Sequence, residues 1–102
     1  MSHPAYYVID VRITDPERIK PYQLAVEKTF TAYGGRLIVA GGQVDPLEGD
    51  APLGKIVILQ FPSMEQARAW HDSPEYQAII GYRHAAADSR AYLVEGIALA
   101  AG

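Results

Sequence analysis

Residues 6–14, YYVIDVRIT, alternate in character: Tyr7, Ile9, Val11 and Ile13 fall on one face, and Tyr6, Val8, Asp10 and Arg12 on the other. A period of two predicts a strand with one strongly apolar face. Asp15 and Pro16 then supply an N-cap and a first helical residue. Tyr22, Val26, Phe30 and Tyr33 recur at helical spacing, with Pro21 placing a kink early and the main helix from about that residue onward. Gly34 and Gly35 stop it. Residues 36–42, RLIVAGG, read as a second strand, residues 43–54 as a Pro-, Gly- and Asp-rich loop, and residues 55–61, KIVILQF, as a third strand. Ser63 and Gln66 have capping-box spacing at the head of a second helical region, which breaks at DSP and restarts with Tyr76, Ile79, Ile80 and Arg83 on one stripe. Residues 90–97, RAYLVEGI, read as the last strand.

The order βαββαβ is the ferredoxin-like, split-βαβ pattern: an α+β fold with a four-stranded antiparallel sheet and its helices on one face. The expected unit is a single domain spanning 1–102, with its core at about 5–97. Strand 55–61 is apolar on both faces: Ile56 and Ile58 on one, Val57, Leu59 and Phe61 on the other. Strand 36–40 is apolar on both faces too. A sheet covered by helices on one side should be polar on the other, so the second face needs a cover. A second copy of the same sheet is the simplest one, predicting a homodimer through the sheet face, a dimeric α/β barrel.

Composition narrows the function classes. The 102 residues carry a formal net charge of −3, which argues against a nucleic-acid partner. There is no cysteine, which excludes thiolate metal sites and cysteine nucleophiles and fits a cytoplasmic setting. No apolar run approaches membrane length, so no membrane partner is expected. The opening MSHPAYYVIDVRI lacks a basic region and meets Asp10 early, unlike a secretory leader. The glycine pairs at 34–35 and 41–42 do not form a nucleotide fingerprint, and the histidines lack metal-ligand spacing, so neither a cofactor nor a metal is expected.

The stretch WHDSPEY places His71, Asp72 and Ser73 side by side. Consecutive residues on a helix do not face one another, so this is not a hydrolytic triad. Ser73 before Pro74 and Glu75 is a helix start.

YGGRLIVAGG, LEG, VILQFPSMEQARAW and SPEYQ with the following Arg83, in that order over about residues 5–97, resemble the domain-of-unknown-function 1330 family. The resemblance implies the ferredoxin-like fold, a dimeric α/β barrel and a cleft between sheet and helices. Other families of this barrel include cofactor-free monooxygenases, small isomerases and decyclising enzymes. It also implies an arginine before the second glycine pair, where this chain has Ala40, and a tyrosine after Trp70, where it has His71.

The candidate chemistry is sparse. Glu48, in the loop segment LEGD, is a candidate base or ligand anchor. His71 is a candidate proton carrier. Arg83 lies on an apolar stripe and needs a partner, which Glu48, Asp10 or a bound anion would supply. Asp10, on the second sheet face beside Arg12, is expected to be paired with an arginine or raised in pKa if that face is covered. Tyr22, Tyr76 and Trp70 are candidate cleft residues. Two readings follow. In one, a small apolar or phenolic or carboxylated metabolite binds in the cleft and undergoes cofactor-free acid–base chemistry, with Glu48 or His71 as catalytic base and Arg83 as anion partner. In the other, the chain is a non-catalytic ligand-sensing or protein-interaction module. The feature that separates them is whether Glu48, His71 and Arg83 converge on one pocket.

Overall fold

The structure, a computed structural model, describes residues 3–98. It contains β1 (Ala5–Ile13), α1 (Lys20–Thr31), β2 (Arg36–Ala40), β3 (Lys55–Phe61), α2 (Met64–Asp72), α3 (Pro74–Ala86) and β4 (Ala87–Glu95). The strands form one antiparallel sheet in the order β2-β3-β1-β4, the ferredoxin-like arrangement.

The element boundaries follow local chemistry. The Asp15 carboxylate accepts from the Arg18 amide and holds a single turn ahead of α1, whose first turn contains Pro21. After α1 the chain turns at Gly34, which sits at φ +79°, and the Gly35 amide donates to the Phe30 carbonyl. Ser63 caps α2 by accepting from the Gln66 amide. The buried Ser73 hydroxyl accepts from the Tyr76 amide at 3.2 Å and donates to the Trp70 carbonyl at 2.7 Å. It ends one helix and starts the next, the punctuation expected of WHDSPEY.

The core forms where the odd-numbered face of β1 meets Leu59 and Phe61 of β3 under α2 and α3. Trp70, Tyr76 and Phe61 are fully buried there. The Trp70 indole N–H donates to Thr29 Oγ1 at 3.0 Å, which ties α2 to the end of α1. Tyr7 meets the Trp70 ring edge-on at 5.0 Å.

The other sheet face carries Val8 on β1, Ile56 and Ile58 on β3, Val39 on β2, and Tyr92 and Val94 on β4. Tyr92 is 59% exposed and Val94 51%. A register shift between Leu37 and Val39 leaves Leu37 and Ala40 on the helix side and Val39 on the outer side, so β2 is apolar on both faces. Polar contacts rim the patch: Arg12 with Asp88 at one end and Arg36 with Gln60 at the other.

Asp10 has a role different from the arginine pairing expected of it. Its carboxylate accepts from the backbone amides of Leu53 and Gly54, at 2.8 and 2.9 Å. Those amides end the long loop and feed β3. At Gly54 the backbones pass so closely that an added Cβ would lie 2.1 Å from the Val11 carbonyl oxygen. Asp10 and Gly54 together dock the loop end onto β1. Asp10→Ala leaves two amides without their acceptor, and its expected cost is about 1–3 kcal/mol. Urea denaturation measures this, with faster exchange of the Leu53 and Gly54 amides as the local signature; unchanged exchange there would contradict it.

Candidate functional site

Helix α1 packs chiefly on α3 rather than on the sheet. The space it leaves over β1, β2 and β3 is a cleft of ≈ 440 Å³, a size suited to a small-molecule ligand. Ile9, Val11, Val57 and Leu59 form the floor, Tyr22 and Val26 the α1 wall, and Leu24 and Leu37 the edge. Tyr7 and Arg83 are the polar residues of the inner end. Glu27, Gln23 and Lys55 add polar groups from exposed positions on the lining.

Arg83 is only 4% exposed. Its Nη1 donates to Ser89 Oγ at 2.7 Å, and its guanidinium carbon lies 5.5 Å from the centre of the Tyr22 ring. Its Nε–H has no hydrogen-bond partner among the described residues. The ion pairs among the described residues, Arg12–Asp88, Lys20–Glu17 and His71–Asp72, leave it out. Neither Asp10 nor Glu48 serves it. A buried charge normally survives by pairing with an acid. Here phenols surround the charge instead.

The Tyr22 and Tyr76 hydroxyls hydrogen-bond at 2.9 Å. The Tyr7 hydroxyl is buried and has no hydrogen-bond partner among the described residues. Burial pushes the Tyr7 phenol up, with the neighbouring Tyr76 adding to it and the Arg83 charge opposing it. Burial likewise raises Tyr76, helped by Tyr22, and raises Tyr22, helped by Tyr7. For Arg83, burial acts against the charge, but the three phenols together outweigh it and the guanidinium stays cationic. The cluster is therefore one cation among three neutral phenols. A group whose folded pKa is raised contributes stability that is complete below its unfolded pKa and is lost as pH rises above it. The protein is expected to lose stability as pH climbs past 10, the unfolded value of these phenols. Thermal unfolding followed from neutral to strongly alkaline pH checks this; a flat alkaline profile would contradict it.

The candidates from the sequence are not all brought together. Arg83 and Tyr22 line the cleft. Tyr76 stands behind Tyr22, fully buried, and reaches the cleft through its hydroxyl bond to it. Trp70 is fully buried in the core beneath, stacked at 4.2 Å on Tyr76. Glu48 is exposed in the 41–54 loop and is not among the lining residues. His71 is half-buried at the end of α2, 5.4 Å from the Tyr76 ring and 3.7 Å from the Asp72 carboxylate, and is not among the lining residues. Glu48, His71 and Arg83 do not converge on one pocket within the chain. Ala40, where the resemblance implies arginine, does lie in the cleft wall.

Tyr7, Glu27 and Ser89 are site residues that the sequence reading passed over. Tyr7 was legible as the one hydroxyl on the strand face of Ile9 and Val11. Glu27 was legible as the helical i+4 partner of Gln23. Ser89 had no local signal, since it faces Arg83 only because α3 runs straight into β4.

The fold and the residue run FPS, AW, SPEYQ agree with a family model that matches residues 4–97. The chain belongs to the DUF1330 family, a domain of unknown function. No curated protein matches the chain. Among solved structures, the DUF1330 chain is similar to a protein of unknown function from Rhodopseudomonas palustris, with a TM-score of 0.75 at 18% identity, covering 97% of this chain and 86% of that one. A dimeric ferredoxin-like protein of unknown function from Thermobifida fusca has a TM-score of 0.62 at 15% identity, covering 92% of each chain. SnoaB, a cofactor-independent oxygenase from Streptomyces nogalater, has a TM-score of 0.57 at 10% identity, covering 97% of each chain. At such identities the likeness is one of fold. No helix among the described residues is long and apolar enough to cross a membrane.

Proposed function

We propose that this DUF1330 chain forms a homodimer through its outer sheet face, and that each subunit binds one small, mainly apolar molecule in the cleft between α1 and the sheet. The molecule carries a phenolic or carboxylate oxygen, which Arg83 receives. The observation that carries this reading is an arginine only 4% exposed on the lining of an apolar cleft, with no acid paired to it among the described residues. An uncompensated buried cation has a cost that folding alone does not require. A ligand that brings its own negative oxygen offsets that cost.

Binding is the first reading, and chemistry on the bound molecule the second. Glu48 and His71 were the candidate bases, but neither lines the cleft of its own subunit. Glu27 is the carboxylate that does, and it gives the acid–base reading a residue to work with. The likeness to a cofactor-independent oxygenase adds that this fold can house chemistry without a cofactor, an argument by analogy.

A thermal-shift screen of small aromatic phenols and carboxylates tests the binding reading. A ligand at a hundredfold its dissociation constant adds about 2.7 kcal/mol, and each kcal/mol moves a domain of this size by roughly 4–8 °C. The expected result is a shift in the unmodified protein that disappears in Arg83→Met. A shift that survives this substitution would place the ligand elsewhere, and no shift across the screen would leave the interaction-module reading in possession.

A further inference from the structure

Two residues of the cleft lining, Tyr7 and Arg83, carry buried polar atoms that have no hydrogen-bond partner among the described residues, the Tyr7 hydroxyl and Arg83 Nε. The residues that carry them are 3% and 4% exposed, and both line the cleft. A buried donor without a partner costs about 1–3 kcal/mol, and few remain in native structures without a reason. These two come from elements that meet only in the folded chain, β1 and α3. Both are donors. Tyr22 and Tyr76 share one hydrogen bond and Ser89 takes one Nη1 hydrogen of Arg83, so the Tyr7 hydroxyl and Arg83 Nε are the fully buried side-chain polar atoms left without any partner among the described residues.

Two donors beside an uncompensated cation fit an acceptor that is itself charged. We propose that the cleft takes its ligand as an anion, with Tyr7 O–H and Arg83 Nε–H both donating to an ionised oxygen on a flat, apolar body. The oxygen belongs either to a phenol or enol that releases its proton to solvent on binding, or to a carboxylate ionised beforehand. This rests on the reading of the cleft as a ligand site and deepens it, since it fixes the ionisation state in which the ligand is held. Charge-assisted hydrogen bonds of this kind are roughly twice as strong as neutral ones. The apolar floor of Ile9, Val11 and Leu59 strengthens them by excluding water. A phenol held this way keeps its electron-rich anionic form at a pH where it would otherwise be neutral.

The test uses 4-nitrophenol, whose phenolate absorbs at longer wavelength than the phenol and so reports its own ionisation. Its absorbance is followed against pH, free and bound to the full chain. The expected result is a bound dye that titrates at least about one pH unit lower than the free dye, a tenfold preference for the anion. Binding with an unchanged or raised titration point would overturn anion capture while leaving the cleft as a ligand site. Equally tight binding of the neutral 4-nitroanisole would do the same. Binding of 4-nitrobenzoate with exclusion of 4-nitrophenol would uphold the anion and assign it to carboxylates. Failure of all three to bind would overturn the anion site and the ligand-site reading together. Tyr7→Phe separates the donors, because it removes a hydroxyl that makes no hydrogen bond among the described residues. It should melt no lower than the unmodified protein and show a smaller displacement of the dye's titration. A displacement that Tyr7→Phe leaves whole would remove Tyr7 from the geometry.

Discussion

Arg83→Met is expected to unfold within about 1 kcal/mol of the unmodified protein, on either side, while losing its affinity for the cleft ligand. Replacing buried charge by apolar side chains of similar volume is often neutral or stabilising, by about 1–4 kcal/mol. The usual penalty for breaking a buried ion pair comes from the acid left behind. Among the described residues, no acid is left behind here. Two losses oppose the gain: the hydrogen bond to Ser89 Oγ, about 1 kcal/mol, and the contact with the Tyr22 ring, about 0.5–2 kcal/mol. Methionine is unbranched and polarizable, so it fills the same irregular space among the tyrosines. The ligand has no such compensation. Truncating one partner of a buried, charged hydrogen bond costs about 2–5 kcal/mol, a fall in affinity of at least about twentyfold. Denaturation and titration calorimetry on one preparation measure both quantities. A stability loss above about 3 kcal/mol would mean that Arg83 serves the fold, and that its unpaired edge says nothing about a ligand.

Ile58→Lys is expected to convert a dimer into a monomer. Ile58 sits mid-strand on β3, one of the two inner strands, opposite Val8 on β1 and Val39 on β2. It is partly exposed in the single chain and makes no contribution to the helix-side core. A lysine there is therefore tolerable on a free sheet face, where its ammonium reaches water. Against a second sheet it places an unpaired charge inside an apolar interface, at a cost of several kcal/mol. Sedimentation equilibrium should give about twice the chain mass for the unmodified protein and about the chain mass for the variant. The melting temperature of the unmodified protein should also rise with concentration, as it does when association and folding are linked. A monomeric unmodified protein would contradict the dimer, and so would a variant that still dimerises.

Fold and site differ in how much the linear chain reveals, and particular residues show why. Ser63, Ser73 and Gly34 act on neighbours within a few positions, so their roles are encoded locally. The two-sided apolar pattern of 55–61 likewise follows from strand periodicity, and the paired strands keep it. The cleft is different. It exists because α1 leans on α3 instead of the sheet, a packing choice that no local pattern contains. The Tyr22–Tyr76 hydroxyl pair joins residues 54 positions apart, and the Asp10 contacts with Leu53 and Gly54 span more than 40. Arg83 was legible as a cation on an apolar stripe, but that no acid among the described residues pairs with it was not. Glu48 and His71 were selected on local cues, a glycine-flanked loop and a helix end. Such cues do not encode direction, and neither side chain lines the cleft. Tyr7 was read as one more residue of an apolar face, because a phenol buried as core and a phenol buried as donor have the same strand position.

The open edge of Arg83 is expected to receive the ligand's oxygen. The most direct test is the ¹H–¹⁵N resonance of the Arg83 Nε–H, assigned by its loss in Arg83→Lys. On addition of 4-nitrobenzoate or 4-nitrophenol at saturating concentration, this resonance should move downfield and exchange more slowly with water, as a hydrogen that gains a charged acceptor does. A ligand that binds and shifts other resonances while the Arg83 Nε–H stays where it was would contradict the claim.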